Sequence, residues 1–353
     1  MALTSRGKAL IAGVAAVAVV GGGALVMTGN AGPINTIAAK VGITEPAPDP
    51  CPLTGVVPAG DKPVPTRPVL AVKVENTPDA YPLNGLDKAD IVYEEVVEGG
   101  ITRFISVYHC GGATRVGPVR SVRTTDPKIL LQFGAHPLLA FSGGAPKVVN
   151  IAREAGVIEL VEGNPAAAFT RDDPPREIPH NLFTNTQKLW VAAAKSDKQA
   201  TAPQAVFTYD QETPKPSKKI ASATIVFSSL ATAEWRWQGG QWVRYLDGNP
   251  MTLENGDAIA TDNVVIQQVK TVESTEFSDV ADYPSPEVTV TGGGKAWVLR
   301  DGKLIVGTWE RASEGDLTVF RAKQGEEIPL TPGSTFVELA PTGMFDATIS
   351  FEK

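Results

Sequence analysis

Histidine and cysteine are scarce in this chain, with three of the first and two of the second among 353 residues. His109, His136 and His180 are never paired at a metal-ligand spacing, and there is no H-E-x-x-H motif and no cysteine cluster. The usual zinc chemistry is therefore excluded, and neither a metal nor a cofactor is expected. A G-x-S-x-G nucleophile elbow is absent, as is a Walker phosphate loop. A basic excess is missing too. With 32 Lys and Arg against 39 Asp and Glu, the formal charge is −7. A general nucleic-acid binder needs a basic face, so no nucleic-acid partner is expected.

Charge is absent over one long stretch. After Arg6 and Lys8 none appears until Lys40, and residues 9–27 are wholly apolar or glycine. Such a run spans about 28 Å as a helix, close to the thickness of a bilayer core. The basic residues before it predict an inside N-terminus. Residues 1–30 thus read as a transmembrane anchor or signal segment. The length favours a single-pass protein of the cell membrane, its bulk extracytoplasmic and its first partner the membrane itself. The rival is a secreted protein cut at the small residues Gly29-Asn30-Ala31. Cys51 lies too far beyond the apolar run to be a lipidated cysteine. Two cysteines in an exported chain predict one bridge, Cys51 to Cys110. In the chain-entropy model such a loop closure stabilises by about 4 kcal/mol.

Residues 31–66 are rich in Pro, Gly and Ala without periodicity and read as a stalk. Residues 67–196 alternate short strand-like and helix-like runs. "TDPKILLQFG" and "APKVVNIAREAG" start helices at prolines and stop them at glycines, and "TNTQKLWVAAAK" carries a capping box of Thr184 with Gln187. This is an α/β or α+β domain with a mixed sheet. Residues 197–221 read as a linker. Residues 222–343 are β-rich, with hairpins at Gly239-Gly240 and Asp301-Gly302. The first hairpin sets Trp237 opposite Trp242 and Trp235 opposite Arg244. The four side chains form either a small β core or a stacking platform for sugar rings, with the core the simpler reading.

The stretch "DIVYEEVVEGGITRFISVYH" threads carboxylates and an arginine through two apolar arms. A two-residue turn at Gly99-Gly100 would pair Val96 with Arg103 and Glu94 with Ile105. Glu94, Glu98 and Arg103 would then share one face, with Glu95 on the other. "ATRVGPVRSVRTTD" follows as a third strand holding Arg115, Arg120 and Arg123. In a regular strand Arg120 and Arg123 point opposite ways, so a bulge or strand end must re-aim one of them. Cross-strand ion pairs on a solvated face are the bland alternative. The density of arginine in an acidic chain favours an anion site instead. "AFSGGAPK" adds a glycine-rich turn into a helix N-terminus with Lys147 in its first turn, where free N–H groups favour an anion. "REIPHNLF" places His180 and Asn181 after a proline-rich turn, either as a loop anchor or as ligand contacts reaching the arginines. The candidate ligand-binding set is Glu94, Glu98, Arg103, Arg120, Arg123, Lys147, His180 and Asn181, and no catalytic residue is assigned.

"RPVLAVKVEN", "GLDKADIVYEEVVEGGITRF", "GPVRSVR" and "PHNLF", followed by "WVRYLDGNP", "NVVIQQV" and "GTWER", occur in order. Together they resemble the signature blocks of the YerB-like family of exported bacterial proteins, across its N- and C-terminal domains. That resemblance implies export, often as a lipoprotein, and no assigned activity; this chain lacks a lipobox. A weaker likeness, of layout only, is to LytR-CpsA-Psr phosphotransferases, which act on polyprenyl-pyrophosphate-linked polymers. The expected function is a membrane-anchored envelope protein that binds a phosphorylated or carboxylated wall precursor or polymer in an arginine and carboxylate cleft. The alternatives are a phosphotransferase or hydrolase on a lipid-pyrophosphate-linked substrate, and a scaffold for another envelope protein.

Overall fold

The computed structural model describes residues 48–60, 62–163, 168–172, 176–278 and 282–353. The expected anchor, residues 1–30, and the first part of the expected stalk lie outside the described residues. Among the described residues, no helix is long and apolar enough to cross a membrane.

Five strands of the N-terminal region build a mixed sheet: β1 (Leu70–Asn76), β2 (Ile91–Val96), β3 (Thr102–Tyr108), β4 (Leu138–Phe141) and β5 (Ile158–Val161). β3 lies antiparallel between β2 and β1, and β4 and β5 add in parallel beyond β1. The helices are short: α1 (Thr125–Leu130), α2 (Pro146–Glu154) and α3 (Thr186–Ala193). Pro146 opens α2 at a position where its missing N–H would have been unpaired anyway. α3 is capped by Asn185, which accepts from Lys188 N, rather than by Thr184. After residue 222 the regular elements among the described residues are strands.

The N- and C-terminal regions share one sheet. The strand Thr335–Gly343 pairs in parallel with β2 on one side and with Asn263–Ser278 on the other, inside a 12-stranded sheet. Residues 48–353 form one compact unit. The reason is the open edge of β2: its N–H and C=O groups need a partner, and the C-terminal region supplies it. The stretch read as a linker is packed rather than free, with Val206 and Phe207 buried in the core and Lys218–Lys219 paired to Leu304 and Lys303. The end of the expected stalk is also folded. Cys51 and Leu53 are buried, and a disulfide joins Cys51 to Cys110 with Cα atoms 6.1 Å apart.

The sheet has two differently covered faces. One packs on a second, six-stranded sheet that includes Ser222–Ser228, Ala231–Gln238, Gln241–Leu246 and Thr348–Glu352. The tryptophan hairpin has the expected register, Trp237 opposite Trp242 and Trp235 opposite Arg244. Trp235 and Trp242 are fully buried, and the Trp235 ring lies 4.8 Å from that of Phe336. This hairpin therefore belongs to the core between the sheets and offers no open platform. The other face is covered by α1 and the turn after it, through Ile129 and Phe133, and by the 206–207 segment, over Tyr93, Ile105 and Val337. Each large apolar side chain so buried contributes about 1.5–3 kcal/mol.

Candidate functional site

The β2–β3 hairpin differs from the expected one by a single residue. Its connection is the three-residue loop Glu98-Gly99-Gly100, closed by Val97 N donating to Ile101 O at 2.8 Å. Gly99 and Gly100 both have positive φ, 71° and 82°, which suits a tight loop of this length. The register becomes Glu94 opposite Phe104 and Glu95 opposite Arg103. Because side chains alternate, one residue of slip exchanges the faces. Glu94 therefore does not share a face with Arg103. It points toward the second sheet, and the carboxylates flanking Arg103 across the neighbouring strands are Glu95 and Glu75.

Neither flanking carboxylate holds Arg103. Glu95 is bound by Lys73 Nζ at 2.5 Å, and Lys73 also reaches Asp126 at 2.7 Å. Glu75 accepts from Thr77 Oγ1 at 3.0 Å, lies 3.0 Å from His180 Nδ1 and is 3.4 Å from Arg120 Nε. Arg103 is only 7% exposed, yet its one hydrogen bond among the described residues is long, from Nη1 to Ser121 O at 3.4 Å. Burial, then the charges of Arg123 and Arg120, lower its pKa to about 9 despite Glu98 and Glu75. A buried guanidinium with five donors and one long bond is an under-satisfied cation.

Arg103, Arg120 and Arg123 converge on one cavity of about 630 Å³, lined also by Glu98, Ser121 and the turn Gly144-Ala145-Pro146. Ser278 and Ser285 close it from the C-terminal region. The segment carrying Arg120 and Arg123 is not a regular strand. It touches β1 through a single bridge, Val119 to Val74, and Arg120 N donates to Lys73 O. That irregularity allows both arginines to point one way. Glu98 sits at the loop tip, paired with Arg123, whose Nε lies 2.9 Å away, and accepting from Ser285 Oγ at 2.6 Å. Burial raises the Glu98 pKa, but Arg123 and these hydrogen bonds outweigh it and leave the carboxyl below its ordinary range.

The remaining candidates go elsewhere. Glu94 is buried against Arg244, 2.8 Å away, and accepts from Thr102 Oγ1 at 2.6 Å and Asn76 Nδ2 at 3.0 Å. Arg244 also reaches Glu338 at 3.1 Å, and Trp235 Nε1 donates to Glu338 at 2.7 Å. Lys147 is largely exposed and faces Glu276 at 3.8 Å, outside the lining of the arginine cavity. His180 is one step removed, behind Glu75, and lines a neighbouring cavity with Arg176 and Glu254. Asn181 is fully buried; it accepts from Arg171 Nη1 at 2.7 Å and donates to Arg176 O at 3.2 Å, which fixes the loop before β-paired Leu182. Arg115 is drawn to Asp172 and Glu254. Glu75, Ser121 and Ser285 were not singled out from sequence. Glu75 carried the same signal as Glu94, a carboxylate inside an apolar strand, in "LAVKVEN". Ser121 and Ser285 carried none.

Residues 53–202 match the family described as "Protein of unknown function (DUF3048) N-terminal domain", and residues 223–337 match its C-terminal domain. The chain belongs to this family. It is 29% identical over 298 residues to "Putative lipoprotein YerB" of Bacillus subtilis (strain 168), covering 82% of this chain and 86% of that one. The crystal structure of the YerB protein from Bacillus subtilis superposes with a TM-score of 0.68 at 26% identity, over 85% of this chain and 99% of that chain. The three arginines fall in the N-terminal DUF3048 domain and both closing serines in the C-terminal one. The two DUF3048 domains thus share the cavity as well as the sheet.

Proposed function

We propose that this chain is an extracytoplasmic, membrane-attached protein of the cell envelope. In this reading the Arg103–Arg120–Arg123 cavity binds an anionic ligand, a phosphorylated or carboxylated wall precursor or polymer. The observation that carries the reading is Arg103, a buried cation facing a cavity without a carboxylate of its own. A ligand oxygen would supply the missing acceptors, in charge-assisted hydrogen bonds that a rigid guanidinium fork favours. Membrane attachment is supported by the apolar run of residues 9–27 behind Arg6 and Lys8, and by the lipoprotein name of the Bacillus relative. The test is calorimetric titration with phosphorylated wall fragments. Arg103→Ala and Arg120→Ala should each weaken binding by about 1–3 kcal/mol. Arg103→Lys should fail nearly as badly, because a point charge does not reproduce the fork. Unchanged affinity in both alanine variants, for a ligand the parent binds, would sink the reading.

A second reading, a phosphotransferase or hydrolase on a lipid-pyrophosphate-linked substrate, draws on His180. Glu75 lies on its Nδ1 and also touches Arg120. A carboxylate on Nδ1 favours the tautomer whose Nε2 can accept a proton. Turnover of a lipid-pyrophosphate substrate by the parent and not by His180→Gln would select this reading. Saturable binding without turnover would select the first.

A further inference from the structure

The charges around the arginine cavity can be counted residue by residue, and the count goes beyond an anion site of unspecified kind. Arg103, Arg120 and Arg123 bring three positive charges. Glu98 on Arg123 and Glu75 beside Arg120 take away two. Lys147 and Glu276, outside the lining, offset each other. Lys73, with Glu95 and Asp126 at 2.5 and 2.7 Å, forms a separate buried cluster that does not line the cavity. One positive charge remains, centred on Arg103, together with the fractional charge of the α2 N-terminus. Buried charge is stable only when matched, so a ligand group of one negative charge fits and a second would go unpaired beside Glu98.

The placement of the donors narrows the chemistry further. Arg103 comes from β3 and Arg120 and Arg123 from the irregular segment, so the guanidinium donors approach from separate walls. A tetrahedral phosphoryl group presents oxygens in several directions, whereas a carboxylate presents two in one plane. Around this centre stand Ser121, Ser278 and Ser285 as hydroxyl partners and Glu98 as an acceptor, with Ile101, Ala145 and Val148 between them. Such a lining suits hydroxylated carbon on either side of the phosphorus. We infer that the ligand group is a phosphodiester of a polyol, a monoanion, and that Glu98 is the specificity residue that disfavours phosphomonoesters. This inference rests on the anion-site reading above.

The test is calorimetric titration of the full chain at about pH 8, where a phosphomonoester is a dianion. The probes are glycerophosphoglycerol, glycerol 3-phosphate, acetate and vesicles of phosphatidylglycerol. The parent should bind glycerophosphoglycerol about tenfold or more tightly than glycerol 3-phosphate and acetate. Glu98→Gln adds one net positive charge and should move the diester-to-monoester ratio about tenfold toward the monoester. A parent that binds glycerol 3-phosphate or acetate as tightly as the diester overturns the inference, whatever the folding of the variants. So does an unchanged ratio in folded Glu98→Gln, whereas binding to the vesicles alone supports the diester and assigns it to a lipid headgroup. Binding of glycerol 3-phosphate or acetate in preference to the diester leaves the anion site standing and removes only the phosphodiester. Failure to bind any of the four probes overturns the anion-site reading as well.

Discussion

On the face toward the second sheet, Arg244 lies between Glu94 and Glu338, with Thr102, Asn76 and Trp235 donating to the same carboxylates. On the opposite face Arg103 is about as deeply buried, but its neighbours Glu75 and Glu95 are turned to His180 and Lys73, and two more arginines stand beside it. The first arrangement sets one cation between two carboxylates and gives both carboxylates further hydrogen-bond donors. The second leaves a cation short of acceptors at the wall of a cavity. Both are rows of charge within apolar strands, and neither burial nor residue type tells them apart. What separates them is whether each donor has its acceptor within the protein.

The largest expected effect tests the paired side. Arg244→Met leaves Glu94 and Glu338 without their cation and should destabilise by about 3–5 kcal/mol, read as the urea midpoint at constant m-value. A loss well below about 1 kcal/mol would mean that the two faces are energetically alike.

Arg103→Leu should behave the other way. It removes an under-satisfied buried cation beside two like charges, so the ligand-free protein should melt at the same temperature or higher while ligand binding is lost, by about 1–3 kcal/mol. Loss of stability comparable to that of Arg244→Met would show that Arg103 is structural after all.

The smallest effects are in the pH dependence, where the two faces should differ in sign. Burial, then the charge of Glu94, raise the Glu338 pKa well above its ordinary value of 4.5. Its contribution to stability is therefore present below that value and lost as the pH rises through the folded pKa. Glu98 is lowered, so its contribution is present above 4.5 and lost as the pH falls through its folded pKa. Glu338→Gln should flatten the decline of stability toward neutral pH, and Glu98→Gln the decline toward acid. Urea midpoints measured across that range check both, and identical slopes in the two variants would contradict the assignment.

Much of this arrangement was legible beforehand, and the limits have physical causes. The family blocks, the mixed sheet, the β-rich second region, the helix starts at prolines and the register of the tryptophan hairpin all rest on local chemistry that neighbours in the chain decide. Arg103, Arg120 and Arg123, close in sequence, also line one cavity. The β2–β3 register did not follow, because two adjacent glycines allow a two-residue or a three-residue loop. The choice falls to the pairing of β2 with Thr335–Gly343, some 240 residues away in the chain. That choice sent Glu94 to one face and left Arg103 on the other.

By itself the sequence determined which residues carry charge inside strands, where the chain turns, which cysteines are available to pair and which family the chain resembles. Those properties depend on composition, side-chain size and backbone freedom over a few residues. Only the tertiary structure decided that two sequence regions share one sheet, that Arg244 neutralises Glu94 and that Glu75 binds His180 rather than Arg103. It also decided that Ser285 closes a cavity built from residues far from it in the chain. Whether a buried charge is satisfied depends on acceptors brought to it by distant strands, and no local pattern records where those will lie.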